Sequence, residues 1–216
     1  MGLAEEFQGV LFDMDGVLLD TMGAHVDAWL RAGADLGLSI DEHDIYLREG
    51  EKGEVSAKDF IKNAGLMLTK ARVRTLLETK ERYFAELARS PRVFPHAAAA
   101  LATCRERGLR VALVTGTSRA EWESIFPAEL KALLDASVCG DEVLHGKPNP
   151  EPYMTAARLV RLQPRQCVAV ENAPYGIRSA KGAGCRVLAV RSYLSDDDLG
   201  QADEIVDGLA EFVGLL

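Results

Sequence analysis

The sequence predicts an α/β fold, a doubly wound parallel-sheet (Rossmann-like) core with an inserted all-helical cap domain. The first observation is an unbroken apolar run over 10–14, which is typical of a strand buried on both faces. The second is an alternation of helical and strand patterns from about residue 96 to the end. The third is a purely helical stretch over 20–90, which separates the first strand from the others.

The first strand needs the later strands as neighbours, so the helical stretch is an insertion that leaves and re-enters the core at nearby points. We therefore predict a catalytic core from 1–19 and 91–216 and a helical cap from 20–90. A helical lid would then lie over the end of the first strand.

The cap pattern begins with a helix over 21–36, with Asp20 or Thr21 as its N-cap and Gly37 just after its end. A polar stretch over 39–54 follows, and then two further helices at about 55–64 and 69–89. Proline residues at 91 and 95 mark the return to the core. The remaining elements are predicted as helices at 96–107, 151–162 and 174–182, strands at 110–115, 137–139, 167–170 and 186–190, and a last strand and helix within 205–216.

Composition limits the classes of function. The chain has 216 residues and a net charge of −8, with 48% hydrophobic and 27% charged residues, so it is long enough for a sizeable core with a smaller insert. The acidic balance, without a basic stripe, argues against nucleic acid as a partner. No apolar run reaches about 18 residues, and Glu5 and Glu6 are unlike a signal peptide, so we expect no membrane association.

Cysteine usage indicates the compartment. The four cysteines are widely spaced, without a CxxC pair, which favours reduced, buried thiols in a cytoplasmic protein over disulfides or zinc. The cysteines are Cys104, Cys139, Cys167 and Cys185.

We expect the protein to be a monomer or a weak homodimer.

Asp13 and Asp15 follow the first strand one residue apart, so they start close together at its carboxyl end, where open α/β sheets bind ligands. Two like charges there repel each other, and a divalent cation removes that conflict and attracts phosphate. One carboxylate can then attack phosphorus and the other can protonate the leaving oxygen. An ordinary Asp-Gly turn at Gly16 is the structural alternative.

Other strand ends carry matching groups. Thr115 and Gly116 offer a hydroxyl and backbone N–H groups for phosphate oxygens, and Lys147 offers a cation on a loop stiffened by proline. Glu171 and Asn172 offer oxygen ligands for a cation. Each also has a structural alternative: a helix N-cap near 115–118, a solvated surface lysine, and an N-cap at 171–172.

Taken together, the stretch Phe12-Asp13-Met14-Asp15-Gly16-Val17-Leu18 with Thr115, Lys147-Pro148 and Glu171-Asn172 resembles the four motifs of the haloacid dehalogenase-like hydrolases. The resemblance covers nearly the whole chain. The helical insertion resembles the class I cap of the branch that holds beta-phosphoglucomutase and phosphoglycolate phosphatase.

The resemblance implies a role for each matching residue. Asp13 would be the nucleophile and a Mg²⁺ ligand, and Asp15 the general acid and base that binds Mg²⁺ through its backbone carbonyl. Thr115, Gly116 and Lys147 would bind the phosphoryl group. The metal ligands would be Asp13, Asp15, Glu171 and Asn172.

Asn172 departs from the family pattern, which usually has an acid at this position. An amide oxygen can still bind Mg²⁺, but it brings no charge, so weaker affinity for Mg²⁺ follows as a hypothesis.

The cap residues expected to face substrate are His25, Trp29, Arg48, Lys52 and Lys80. His25 and Trp29 lie four residues apart and share one helix face, although Trp29 also suits the cap core. Lys80 resembles a cap lysine of this branch. We find no counterpart of the family's cap arginine after the loop glycine, which favours a phosphatase over beta-phosphoglucomutase proper.

The leading prediction is a Mg²⁺-dependent phosphatase that hydrolyses a small phosphorylated metabolite of the sugar phosphate or phosphoglycolate type through an aspartyl-phosphate. A sugar phosphomutase is the alternative enzyme. A catalytically weak protein that binds a phosphometabolite is the alternative from another class, and Asn172 is the feature that favours it.

Overall fold

The computed structural model describes residues 2–216 and confirms the doubly wound α/β core. Its first half contains, in chain order, α1 (Leu3–Glu6), β1 (Gly9–Phe12), β2 (Leu19–Asp20), α2 (Met22–Asp35), α3 (Glu42–Leu47), α4 (Gly53–Asn63), α5 (Lys70–Leu87), β3 (Arg92–Val93) and α6 (Ala97–Glu106). Its second half contains β4 (Arg110–Val114), α7 (Arg119–Ile125), α8 (Ala128–Lys131), β5 (Ala136–Val138), α9 (Glu151–Leu159), β6 (Cys167–Glu171), α10 (Pro174–Ala183), β7 (Arg186–Val190), α11 (Asp196–Leu199), β8 (Glu204–Val206) and α12 (Leu209–Leu215).

Six parallel strands form one sheet in the order β5-β4-β1-β6-β7-β8. β1 lies in the middle and is buried along its whole length, which explains its continuous apolar sequence. Leu11 packs in the cluster on one face, with α9 and α10. Val10 and Phe12 pack in the cluster on the other face, with α6 and α12.

The cap helices α2 to α5 lie between β2 and β3 in the chain and have an apolar cluster of their own. Trp29, Phe60 and Leu76 are among its buried members, one from each of α2, α4 and α5. β2 and β3 pair antiparallel, so the two connections between cap and core run side by side. The domain boundaries that we predicted at 19–20 and 90–91 stay a prediction.

The structure corrects several local predictions. The polar stretch at 39–54 contains the helix α3, with Asp41 as its N-cap, and the two-residue strands and α11 were not predicted. Thr21 stands at the N-cap position of α2, but its hydroxyl donates to Asp15. Gly37 follows the end of α2 with a φ of 72°, as predicted for a helix stop.

All four cysteines lie in the described part of the chain, where they are buried and free. No helix within residues 2–216 combines the length and the apolar character needed to cross a membrane.

Candidate active site

The predicted polar groups meet at one edge of the sheet. In the register of the strands, Phe12 of β1 aligns with Leu113 of β4 and with Val170 of β6. Asp13 directly follows Phe12, and the Asp13 amide donates to the Val170 carbonyl at 2.9 Å, so Asp13 continues the ladder. Asp13 and Glu171 therefore end neighbouring strands at the same level, and both are fully buried.

The Asp15 carboxylate lies within a set of four hydrogen-bond donors. The hydroxyls of Thr115 and Thr117 each donate to Oδ2 at 3.2 Å, and the Thr21 hydroxyl donates to Oδ1. His25 Nε2 lies 3.3 Å from the same Oδ1. Burial by itself would raise the pKa of Asp15, but the hydrogen bonds from His25, Thr21 and Thr115 outweigh it and hold that pKa below its ordinary value. At neutral pH Asp15 is therefore ionised.

Lys147 links the two strand-end carboxylates. Its ammonium group lies 2.5 Å from Asp13 Oδ1 and 2.7 Å from Glu171 Oε1, and the residue is only 2% exposed. Burial alone would lower the pKa of Lys147, but the charges of Asp13, Glu171 and Glu49 raise it, so the amine stays protonated. Burial, opposed by the charge of Lys147, raises the pKa of Asp13 well above its ordinary value. The alternative of a solvated surface lysine is wrong.

Glu171 is fixed in place by its neighbours. The Tyr153 hydroxyl donates to Oε1 at 2.5 Å, and the Asn172 amide donates to Oε2 at 3.1 Å. The N-cap of α10 is Ala173, so the alternative that Glu171 or Asn172 caps this helix is wrong. Ser118 does cap α7, by accepting from the Glu121 amide. The Thr115 hydroxyl instead donates to Asp15 and accepts from the Thr117 amide at 3.1 Å.

Sequence reasoning missed several site residues, of which Glu49 is the most prominent. It is 7% exposed, and one of its carboxylate oxygens lies within 4.8 Å of one from Asp13 and one from Glu171. Burial, reinforced by the charge of Asp13, raises its pKa well above the ordinary value. The other missed residues are Thr21, Thr117 and Tyr153.

The oxygen atoms available here as metal ligands fit a hard divalent cation. Asp13 Oδ2 and Asn172 Oδ1 are buried oxygens that accept no hydrogen bond from any residue within 2–216. Such oxygens are costly to bury unless a ligand uses them, and carboxylate and amide oxygens are ligands that Mg²⁺ accepts. Lys147 already neutralises the carboxylates of Asp13 and Glu171. The two unpartnered oxygens are therefore a better indication of the cation's place than the carboxylate cluster as a whole.

We predict that Asn172→Asp strengthens Mg²⁺ binding by about tenfold, because the substitution adds a negative charge at an oxygen that already faces the site. Mg²⁺ titrations followed by the Tm and by calorimetry would measure the affinity without relying on turnover. Asn63→Asp, which makes the same exchange at an exposed position that ends α4, is the matched control. Equal affinity in the wild type and Asn172→Asp would refute the idea that Asn172 weakens the metal site.

A cavity of about 280 Å³ lies between the cap and this edge of the sheet. Asp15, His25 and Thr117 line it from the site, and Trp29, Glu49 and Lys80 are among the side chains that line it from the cap. Cap and core meet closely at its base, where a Cβ added to Gly116 would lie 2.5 Å from the Gly50 carbonyl oxygen. Such a space admits a ligand of the size of a small metabolite.

The predicted cap residues all line the cavity, although two of them direct their charges elsewhere. Arg48 makes ion pairs of 2.9–3.1 Å with three acids, and Lys52 Nζ donates at 3.0 Å to the Leu144 carbonyl of the core. His25 stacks on Phe84 with ring centroids 4.0 Å apart. The three acids paired with Arg48 are Asp44, Glu51 and Asp59.

Trp29 and Lys80 lie together in the cap wall. Trp29 is buried in the cap core, which confirms that prediction, and it also lines the cavity. Lys80 is largely buried, and its ammonium group lies 4.6 Å from the centre of the Phe84 ring and 5.9 Å from that of Trp29. The role of each cap residue toward substrate stays a prediction.

Comparisons with known proteins agree with this geometry. The family model described as haloacid dehalogenase-like hydrolase matches residues 7–184. The chain is 32% identical to the phosphorylated carbohydrates phosphatase of Thermotoga maritima, with 88% of each chain covered. It is 29% identical to hexitol phosphatase A of Escherichia coli, with 94% of this chain and 92% of that protein covered.

A solved structure shows the same architecture. The structure of CbbY from Rhodobacter sphaeroides in complex with phosphate superposes with a TM-score of 0.78. The two chains are 28% identical, and the match covers 97% of this chain and 99% of the other.

Proposed function

This chain belongs to the haloacid dehalogenase-like hydrolases, and we propose that it is a Mg²⁺-dependent phosphatase of small phosphomonoesters that works through an aspartyl-phosphate. The observation that carries the proposal is the pair of strand-end aspartates in two different settings. Asp13 is bonded to Lys147 and keeps one oxygen unpartnered among the described residues, whereas four donors hold Asp15 ionised. Separate environments for two carboxylates are typical of separate chemical roles.

In the first step we assign attack on phosphorus to an oxygen of Asp13. The new Asp13–phosphorus bond forms as the bond from phosphorus to the leaving oxygen breaks, and Asp15 supplies the proton that the leaving alkoxide takes up. Because the pKa of Asp15 is depressed, Asp15 must receive this proton from the substrate, which binds as the phosphate monoanion. The second pKa of such a phosphate group is about 6. Lys147 neutralises charge on the phosphoryl oxygens.

In the second step Asp15 has the ionised form that a general base needs. It accepts a proton from water, whose oxygen attacks phosphorus and releases Asp13 and inorganic phosphate. The hydroxyls of Thr115 and Thr117 orient the Asp15 carboxylate for this transfer. The cap, whose loop touches Gly116, would exclude other water from the cavity.

We assign Mg²⁺ to Asp13, to the backbone carbonyl of Asp15 and to Asn172, with Glu171 directly or through water. When bound, the cation would neutralise negative charge on the phosphoryl group and on Asp13. The two unpartnered buried oxygens of Asp13 and Asn172 support this assignment.

A sugar or polyol phosphate is the substrate class that we propose. The small cavity supports it, as do the activities after which the two bacterial relatives are named. Buried, free cysteines support action in the cytoplasm. We propose a monomer or a weak homodimer without a membrane partner. The acidic charge balance of the sequence supports the further proposal that nucleic acid is not a partner.

The test is phosphate release from sugar phosphates, polyol phosphates, phosphoglycolate and nucleotides, with Mg²⁺ present and then chelated. We expect Mg²⁺-dependent release from one or a few sugar or polyol phosphates. Product isomerisation that requires a bisphosphate primer would indicate the phosphomutase instead. Ligand-dependent Tm shifts without any turnover would indicate the binding protein.

A further inference from the structure

Glu49 has an unsatisfied oxygen next to the substrate cavity. Its Oε2 is buried and accepts no hydrogen bond from the described residues, and Glu49 is among the residues that line the cavity between cap and core. An acceptor oxygen withdrawn from water is unfavourable unless a donor meets it. The missing donor must therefore come from whatever fills the cavity.

The backbone on either side of Glu49 is held against the site. A Cβ added at Gly50, where φ is 76°, would lie 3.0 Å from Lys147 Nζ, so Gly50 packs directly on the phosphate-binding lysine. Glu51 forms a bridge with Lys147 through the backbone. Glu49 is consequently positioned by the same contacts that close the cap on the core.

The distance to Asp13 limits which part of a substrate Glu49 can reach. A carboxylate oxygen of Glu49 lies within 4.8 Å of one of Asp13, the attacking residue. Ionised phosphoryl oxygens are acceptors, and the one proton that the substrate monoanion brings is the proton that Asp15 passes to the leaving group, so the phosphoryl group leaves no donor for Glu49. A donor within reach would belong to the leaving group, close to the carbon that bears the phosphate.

The cationic side chains near Glu49 already have partners, so recognition of the leaving group is left to Glu49. Arg48 is neutralised by three acids, and Lys52 donates to carbonyl groups of the core, so neither charge is directed at the leaving group. Lys147 is shared by Asp13 and Glu171. This part of the cavity wall thus presents an acceptor, which suits a hydroxyl.

We propose that Glu49 is a specificity-determining residue whose Oε2 accepts a hydrogen bond from a leaving-group hydroxyl next to the phosphate-bearing carbon. The inference rests on the proposed phosphatase function and refines its substrate class. Glu49 would favour polyol and sugar phosphates over phosphomonoesters that lack this hydroxyl. A site built to bind a hydroxyl discriminates strongly because the analogue leaves the acceptor unpaired.

The experiment measures kcat/KM of the wild type and of two Glu49 variants with two pairs of substrates. The pairs are glycerol 3-phosphate with 3-hydroxypropyl phosphate, and sorbitol 6-phosphate with its 5-deoxy analogue. We expect the wild type to favour the hydroxylated member by about 10²-fold in kcat/KM. Glu49→Ala should reduce that ratio to less than about fivefold, and Glu49→Gln, which keeps a carbonyl oxygen, should give an intermediate ratio. Glu78→Gln removes an exposed cap carboxylate and should leave the ratio unchanged.

Two outcomes would overturn the proposal. If Glu49→Ala lowers kcat/KM equally for both members of a pair and for p-nitrophenyl phosphate, Glu49 acts on the phosphoryl group or on the fold. If its main effect is on the Mg²⁺ affinity measured by calorimetry, Glu49 is a metal ligand. An unchanged Tm of Glu49→Gln would show that this variant is folded, so a change in its substrate ratio would not come from loss of the fold.

Failure of the phosphatase function is recognised separately, because the wild type would then release no phosphate from either pair. In that case the same compounds are compared by the rise in Tm that they produce. The Glu49 contact predicts a larger rise with the hydroxylated member in the wild type and equal rises in Glu49→Ala. A larger rise that persists in Glu49→Ala would contradict it.

Discussion

Asp13→Asn is expected to lower kcat by about 10⁴-fold or more, because an amide oxygen cannot serve as the nucleophile that the covalent route needs. Wild-type enzyme quenched in acid during turnover should carry a phosphoryl group on the peptide that contains Asp13. The variant should carry none. Mass spectrometry of the quenched chain and phosphate release measure the two effects.

The same substitution should not unfold the protein. A carboxyl whose pKa is raised by burial favours the fold while it is protonated at low pH, and this contribution is lost as the pH rises through the raised pKa. Asparagine cannot ionise, and Lys147 keeps Glu171 as a partner, so we expect a Tm at neutral pH no lower than that of the wild type. Asp27→Asn, at an exposed carboxylate of α2, is the matched control and should keep full activity. Substantial turnover by Asp13→Asn would refute covalent catalysis at this residue.

The sequence is informative about the position of Asp13 because strand ends can be recognised from local pattern. An apolar run followed by Asp13, and another followed by Glu171, place both carboxylates at one sheet edge once the strands are parallel. Lys147 lies on a loop, so its position is not given by a periodic pattern. Its order along the chain, together with the resemblance to a known family, identified it.

Glu49 could not be predicted in the same way. It follows α3, a six-residue helix in a polar stretch, and no periodicity distinguishes it from its partly buried neighbours. Its burial comes from docking of the cap loop on Gly116 and Lys147, which is a tertiary contact between distant parts of the chain. A single sequence contains no local signal for such a contact.

The predictions for Arg48 and Lys52 show a related limit. Sequence position places both near the cavity, and both line it. Which partner a long cationic side chain takes depends on acids and carbonyls that only the fold brings within reach. Asp59 comes from α4, and the Leu144 carbonyl comes from the core, so the free charge expected from the sequence is already paired.

Asp15→Asn is expected to lower kcat/KM for alkyl phosphates by about 10³-fold, because their leaving alkoxides need a proton as the bond to phosphorus breaks. With p-nitrophenyl phosphate the first step should fall far less, since p-nitrophenolate leaves without protonation. The second step would still lack its base, so about one equivalent of p-nitrophenolate per enzyme should be released in a burst before slow turnover. Stopped-flow absorbance measures this burst.

The depressed pKa of Asp15 adds a pH dependence to this prediction. A base whose pKa lies below its ordinary value stays ionised as the pH falls, so the wild-type rate of dephosphorylation should be level from neutrality downward. The rate should fall only below the ordinary aspartate pKa of about 4. Asp20→Asn, next to the cap connection, changes a carboxylate outside the site and serves as the control. If Asp15→Asn slows alkyl and p-nitrophenyl phosphates equally and shows no burst, Asp15 orders the site and does not transfer the proton.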